Sequence, residues 1–199
     1  MNKSVTKYSI IAVLFLFAGF NICFAEEEAE VKRPFLKSVD ILTGFGKAHL
    51  RVRGDYEFIP VYAGFNFDLK PLIEKTNIHY WGLTEFQIEP FIALVYEPQT
   101  NVEVGNTFMF KLGLLPETSK FQPYINAGIG FLYMSQHTNE QATQFNFEEQ
   151  GGLGAYYFFR ENVALNMNCR IRHVSNAGMY VPNQGINSLL YLLGVSYRF

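Results

Sequence analysis

Cysteine, tryptophan and helical periodicity are all scarce in this chain, and each scarcity removes a class of protein. Of 199 residues, two are cysteine and one is tryptophan. Cys23 falls in an N-terminal stretch that is expected to be removed, which leaves Cys169 alone in the folded part. Neither an intramolecular disulfide nor a cysteine-based metal site can then form. The formal net charge is only −2, so no basic field points to nucleic acid. His49, His79 and His137 show no metal-ligand spacing with His173, and neither a metal nor a cofactor is expected. Beyond residue 25 no apolar run approaches the roughly 20 residues that a helical membrane span needs.

The first 25 residues set the compartment. Lys3 and Lys7 precede an apolar run over 8–20, and Cys23-Phe24-Ala25 places small residues before a cut. This is the layout of a secretory signal peptide cleaved after Ala25. As a transmembrane helix the run is too short, and Glu26-Glu27-Glu28-Ala29-Glu30 follows at once. A lipid anchor at Cys23 is disfavoured by Ile22, where a small residue is expected. Residues 26–199 are left as one domain.

What the chain has in quantity is alternation, with 20 Phe and 12 Tyr to carry it. A short first strand uses Ile41, Thr43 and Phe45. Seven longer alternating stretches follow at 59–67, 86–94, 102–114, 125–133, 145–157, 163–171 and 189–199. One face of each is apolar. The other mixes Glu, Gln, Asn, Arg and many glycines. A soluble sandwich would show the same alternation. The even strand number, lengths near the roughly 9–11 residues that cross a bilayer at a tilt, and aromatics near strand ends favour an all-β, eight-stranded antiparallel transmembrane β-barrel. The Tyr197-Arg198-Phe199 end, with apolar residues alternating back from it, is similar to the last strand of bacterial outer-membrane barrels. With so few strands, side chains fill the interior and no solute pore is expected. Glu85, Glu89, Glu103, Lys111, Arg170 and Arg172 fall on the inner face and are expected to form a polar network there.

Loop lengths suggest the orientation, with both termini periplasmic. The turns at 116–120 and 160–161 are then periplasmic, and 47–56, 135–142 and 176–186 are outer loops. The long connection 70–80 on the periplasmic side has no evident reason. In this frame the seventh strand ends at the outer leaflet in Arg172-His173-Val174-Ser175-Asn176-Ala177-Gly178. His173 and Ser175, two apart, share a face. They continue the parity of Cys169 and Ile171, so both are expected to point out towards lipid. A serine activated by a histidine is the minimal pair for acyl transfer. Ionisable groups on a lipid-facing surface are costly and are functional candidates. The bland alternative is a His and a Ser at the headgroup boundary. The side-chain amide of Asn176 and the peptide N–H groups of Ala177 and Gly178 are the nearest oxyanion donors.

His173-Val174-Ser175-Asn176-Ala177-Gly178, followed by Pro182-Asn183 and Gly185-Ile186-Asn187-Ser188, closely resembles the lipid A 3-O-deacylase (PagL) family. The resemblance is strongest over 172–199. It implies an eight-stranded barrel in the outer membrane of a Gram-negative bacterium. It also implies hydrolysis of the ester-linked acyl chain at position 3 of lipid A in lipopolysaccharide, without a cofactor. By matching position, His173 is the general base and Ser175 the nucleophile. Outer-membrane lipids surround such a protein, and a second copy of the chain is a candidate partner. The family pattern has a glutamate fourteen residues after the histidine, where this chain has Asn187. An Asn can orient a His through its oxygen but supplies no charge. Alternatively a neighbouring strand supplies the acid. A tight hairpin with paired residue numbers summing to about 322 sets Glu149 opposite His173, on the same outward face. Asn187 is taken as the third member, with Glu149 as the alternative.

Two other classes fit the same pattern. One is a non-enzymatic barrel with a structural or adhesive role. The other is a periplasmic lipid-binding barrel.

Overall fold

The computed structural model describes residues 35–51, 54–136 and 138–199. The expected signal peptide, the acidic segment after it and His137 lie outside them. The described chain is all-β apart from one short helix. Its strands are β1 (Leu36–Leu50), β2 (Gly54–Asp68), β3 (Gly82–Glu97), β4 (Asn101–Pro116), β5 (Phe121–Met134), β6 (Phe145–Phe158), β7 (Val163–Ser175) and β8 (Ile186–Arg198). They close in sequence order, and β1 pairs antiparallel with β8.

Alternation explains which face is which. Successive side chains on a strand point to opposite sides. Ile41, Val61, Ile92, Val104, Ile129, Leu153, Ile171 and Leu193 all lie exposed on the outside. Their sequence neighbours Asp40, Glu103, Arg170, Arg172 and Leu192 are buried inside. The exterior is thus apolar and the interior is filled.

The interior is layered. Near one end Leu83, Tyr124, Tyr156, Phe158 and Ala164 cluster. The middle carries charge. Lys111 meets Asp40 at 2.8 Å, Asn66 at 3.0 Å and the Tyr156 hydroxyl at 2.7 Å. Arg170 grips Glu89 with both terminal nitrogens. Arg172 meets Glu103 at 2.8 Å, and Glu103 also accepts a hydrogen bond from Tyr56. Towards the other end lies a larger apolar cluster that includes Leu50, Tyr56, Phe58, Val95, Met134, Val174 and Ile186. The expected network is present, and Asp40 and Glu148 belong to it as well.

Two expectations need correction. β1 is not short: it runs to Leu50 and pairs with β2 down to Gly54. The expected outer loop 47–56 is therefore mostly strand. Gly44 and Gly46 blur the alternation of β1, and its outward rim residues Lys47 and His49 are polar because they pair with Asp55 and Glu57 on β2. The long connection 70–80 also has a reason. It holds α1 (Lys70–Glu74), with Pro71 in its first turn, where a missing N–H costs nothing. Lys70 reaches Glu117 across the barrel end at 3.3 Å, beside Lys37 at 2.6 Å. Burial alone would push the Glu117 carboxyl up, but the Lys37 and Lys70 charges outweigh it and hold the group below its usual range.

Candidate active site

β7 delivers the candidate residues to the barrel rim. Arg172 and Val174 point inward and are buried; His173 and Ser175 are half-exposed on the outer face. Val174 pairs with Ile186 on β8, and both are anchored in the apolar cluster beneath the rim. The inner residues thereby fix the backbone from which the outer ones project.

The register places three polar residues in one row across three strands. His173 lies opposite Glu149 on β6 and opposite Asn187 on β8. The Glu149 pairing is the register that the short β6–β7 turn suggests. The His173 Nδ1 and the Asn187 Oδ1 are 2.6 Å apart. An amide oxygen only accepts, so this bond puts a proton on Nδ1 and leaves the Nε2 lone pair outward. Ser175 forms no hydrogen bond with His173 among the described residues. Such contacts often tighten only when substrate is bound. Glu149 is exposed and forms no hydrogen bond or ion pair among the described residues.

The loop between β7 and β8 shapes the rest. Ala177 and Gly178 both have positive φ, 55° and 74°, and the Met179 N–H bonds back to the Asn176 carbonyl at 3.2 Å. This is a turn with two left-handed central residues, which Gly and Asn-like positions favour. Asn176 departs from expectation. It follows the inward parity of Val174 and is fully buried. Its side-chain amide donates to the carbonyls of Tyr180 at 3.0 Å and Pro182 at 3.3 Å, and its N–H donates to Asn183 Oδ1 at 3.0 Å. Its side-chain amide and its peptide N–H are committed to the loop, away from the oxyanion role expected of it. Across the rim, the Ala142 N–H bonds the Pro182 carbonyl at 2.9 Å, and the Gln184 N–H bonds the Glu140 carbonyl at 2.9 Å.

Gly185 is a contributor the sequence pattern marks only as a turn. Its φ is +73°, and a Cβ placed there would lie 2.5 Å from the His173 Cε1. The imidazole rests on bare backbone. A glycine closing a loop just before a strand is the only signal of this in the sequence.

Below the row, on the outer wall, is an open and almost wholly apolar groove of about 500 Å³. Leu153, Ala155, Met167, Cys169, Tyr191 and Leu193 line it. Cys169 is a free thiol there. Among the described residues no cluster of His, Cys, Asp and Glu could hold a metal ion.

A sequence model of the family described as lipid A 3-O-deacylase (PagL) matches residues 61–196, well over half of the chain and all of the row above. The chain belongs to the PagL family. The outer-membrane enzyme PagL itself is similar in structure, with a TM-score of 0.55 at 20% identity, covering 80% of this chain and 99% of that one. Neisserial surface protein A is similar too, with a TM-score of 0.57 at 14% identity, covering 81% and 96%. At such identities these likenesses carry the fold, an outer-membrane type of barrel, and not the chemistry. No curated protein sequence matches the chain. PagL-family membership makes it an outer-membrane lipid A 3-O-deacylase, a hydrolase whose substrate is lipid A. It sets aside the readings as a structural barrel and as a periplasmic lipid carrier.

Proposed function

We propose that the chain deacylates lipid A as a serine esterase, with Ser175 as nucleophile, His173 as general base and Asn187 as the residue that orients it. The observation that carries this reading is the 2.6 Å contact between His173 Nδ1 and Asn187 Oδ1 on the lipid-facing side of the barrel. It fixes the tautomer whose Nε2 can accept the Ser175 proton. Ser175 Oγ attacks the carbonyl of the 3-O-acyl ester, and its proton passes to His173. The oxyanion is met by the peptide N–H groups of Ala177 and Gly178, just past the nucleophile. Collapse expels the sugar 3-oxygen, which takes the proton back from His173. Water, activated by the same histidine, then cleaves the acyl-serine and frees the fatty acid. The apolar groove, whose nearest residue on β7 is Cys169, four residues below His173, suits the acyl chain, since it runs along the wall that already faces the hydrocarbon.

All three residues come from one β7–β8 hairpin, so the reading needs no second copy of the chain. Glu149 in place of Asn187 is the rival third member, and the hydrogen bond favours Asn187. The test is mass spectrometry of lipid A from Gram-negative cells expressing the wild type or Ser175→Ala. Loss of the 3-linked acyl chain with the wild type only is expected. The same loss with Ser175→Ala would overturn the serine mechanism.

A further inference from the structure

We infer that Glu149 is a positioning residue that supplies the counter-charge to the protonated His173 formed during turnover, a task separate from that of Asn187. The inference rests on the serine–histidine reading above. Its ground is the row across β6, β7 and β8, in which His173 has a neutral neighbour on one side and a carboxylate on the other. Directly opposed residues carry their Cβ atoms roughly 4.5–5.5 Å apart, so the carboxylate sits within a side chain's length of the ring.

Among the described residues, nothing around Glu149 gives its charge another use. Its partner on β5 is Ile129, which is 66% exposed to the hydrocarbon side. Along the outer face of β6 its neighbours are Phe147 and Gly151. Among the described residues it forms no ion pair. A carboxylate on the lipid-facing wall is costly and needs a reason. The other charges nearby among the described residues are occupied. Arg172, next to His173 in sequence, and Glu148, next to Glu149, point into the lumen, where Arg172 lies 2.8 Å from Glu103 and 3.9 Å from Glu148. Beyond Asn187, on β1, Lys47 pairs with Asp55 at 3.0 Å and Glu57 at 2.7 Å, and His49 with Asp55 at 3.1 Å. On β8 the facing residue is uncharged, and so are Ser175 and Ile171 on β7 itself. Glu149 is therefore the one acid in the row that faces the imidazole.

The two neighbours divide the work. Asn187 accepts the Nδ1 proton and fixes the ring, but contributes no net charge. When Ser175 transfers its proton, the ring becomes cationic at a boundary where water is scarce and charges interact strongly. Glu149 stabilises that cation through space, from the ring edge that Asn187 does not occupy.

The test uses the purified full-length protein in detergent micelles with lipid A as substrate. Glu149→Gln is expected to lower kcat by about 10- to 100-fold with little change in KM. Glu149→Asp should retain most of the rate. Adding Asn187→Asp to Glu149→Gln should recover much of the loss, because it returns a carboxylate to the other side of the ring. Heat-modifiable migration on gels checks that each barrel is folded. The inference is overturned if Glu149→Gln keeps kcat within about twofold of wild type, or raises KM alone as a headgroup contact would. It is equally overturned if the double variant stays as slow as the single one. A dead Ser175→Ala beside an unaffected Glu149→Gln defeats this inference only; an active Ser175→Ala defeats the serine reading itself.

Discussion

Arg172 and His173 are adjacent on β7 and live under opposite rules. Arg172 is fully buried in the lumen and is matched by the carboxylate of Glu103 at 2.8 Å. His173 stands on the lipid side and is matched by a neutral amide at 2.6 Å. In the lumen, Lys111, Arg170 and Arg172 each have a carboxylate in contact. On the rim of β6 to β8, polar groups are few, gathered in one row and only partly paired. A barrel can thus carry many charges that do no chemistry. What marks a working group is its side of the strand and its lack of a full partner.

That contrast can be broken from the outside first. Ser175→Ala or His173→Ala is expected to lower deacylation by about 10⁴-fold or more, with barrel migration on gels unchanged. Both side chains project from the wall and hold little of the packing. Turnover near the wild-type level in either would place the chemistry elsewhere. From the inside, Arg170→Met strands the Glu89 carboxylate in the lumen and should cost about 3–5 kcal/mol in denaturant unfolding. Removing both partners, with Glu89→Gln as well, should restore much of that, while folded protein keeps its activity throughout. A silent Arg170→Met would mean that the lumen charges are not structural.

Asn187→Ala should lower kcat by about 10²-fold, because the ring loses its tautomer and its aim. Should Asn187→Ala be silent and Glu149→Gln dead, the third role belongs to β6. The smallest effect expected is at Gly185. Gly185→Ala forces a Cβ into left-handed backbone and against the ring, a strain of about 1–2 kcal/mol. The rate should fall by several-fold, with stability changed by no more than the strain. A variant as active as wild type would show that the ring has room to move.

Much of this was legible in the sequence because a strand's period is two. Parity alone assigns His173, Ser175, Asn187 and Glu149 to the outer face, and the short β6–β7 turn sets their register. The lumen contacts were not legible in the same way. Asp40 and Lys111 are 71 residues apart, and no local pattern says which acid meets which base. Only the general expectation of an inner network could be stated. The full length of β1 is hard to read because glycines interrupt its alternation and its rim is charged. The burial of Asn176 is hidden from the sequence for a different reason. It is adjacent to Ser175 in sequence, but one step along a strand reverses the side chain, and the loop then claims its donors.

The β7–β8 hairpin also separates what is local from what is global in the assembly of this barrel. His173 and Asn187 are 14 residues apart, whereas Arg170 and Glu89 are 81 apart and Arg172 and Glu103 are 69 apart. Closing a short loop costs less entropy than closing a long one, and local contacts form sooner. The imidazole–amide contact can therefore be made by one hairpin alone. The lumen pairs must wait for distant strands to arrive, and the β1–β8 seam closes the ring at the strand that carries Asn187. The His173–Asn187 contact is thus a local one, and the lumen pairs depend on closure of the whole ring.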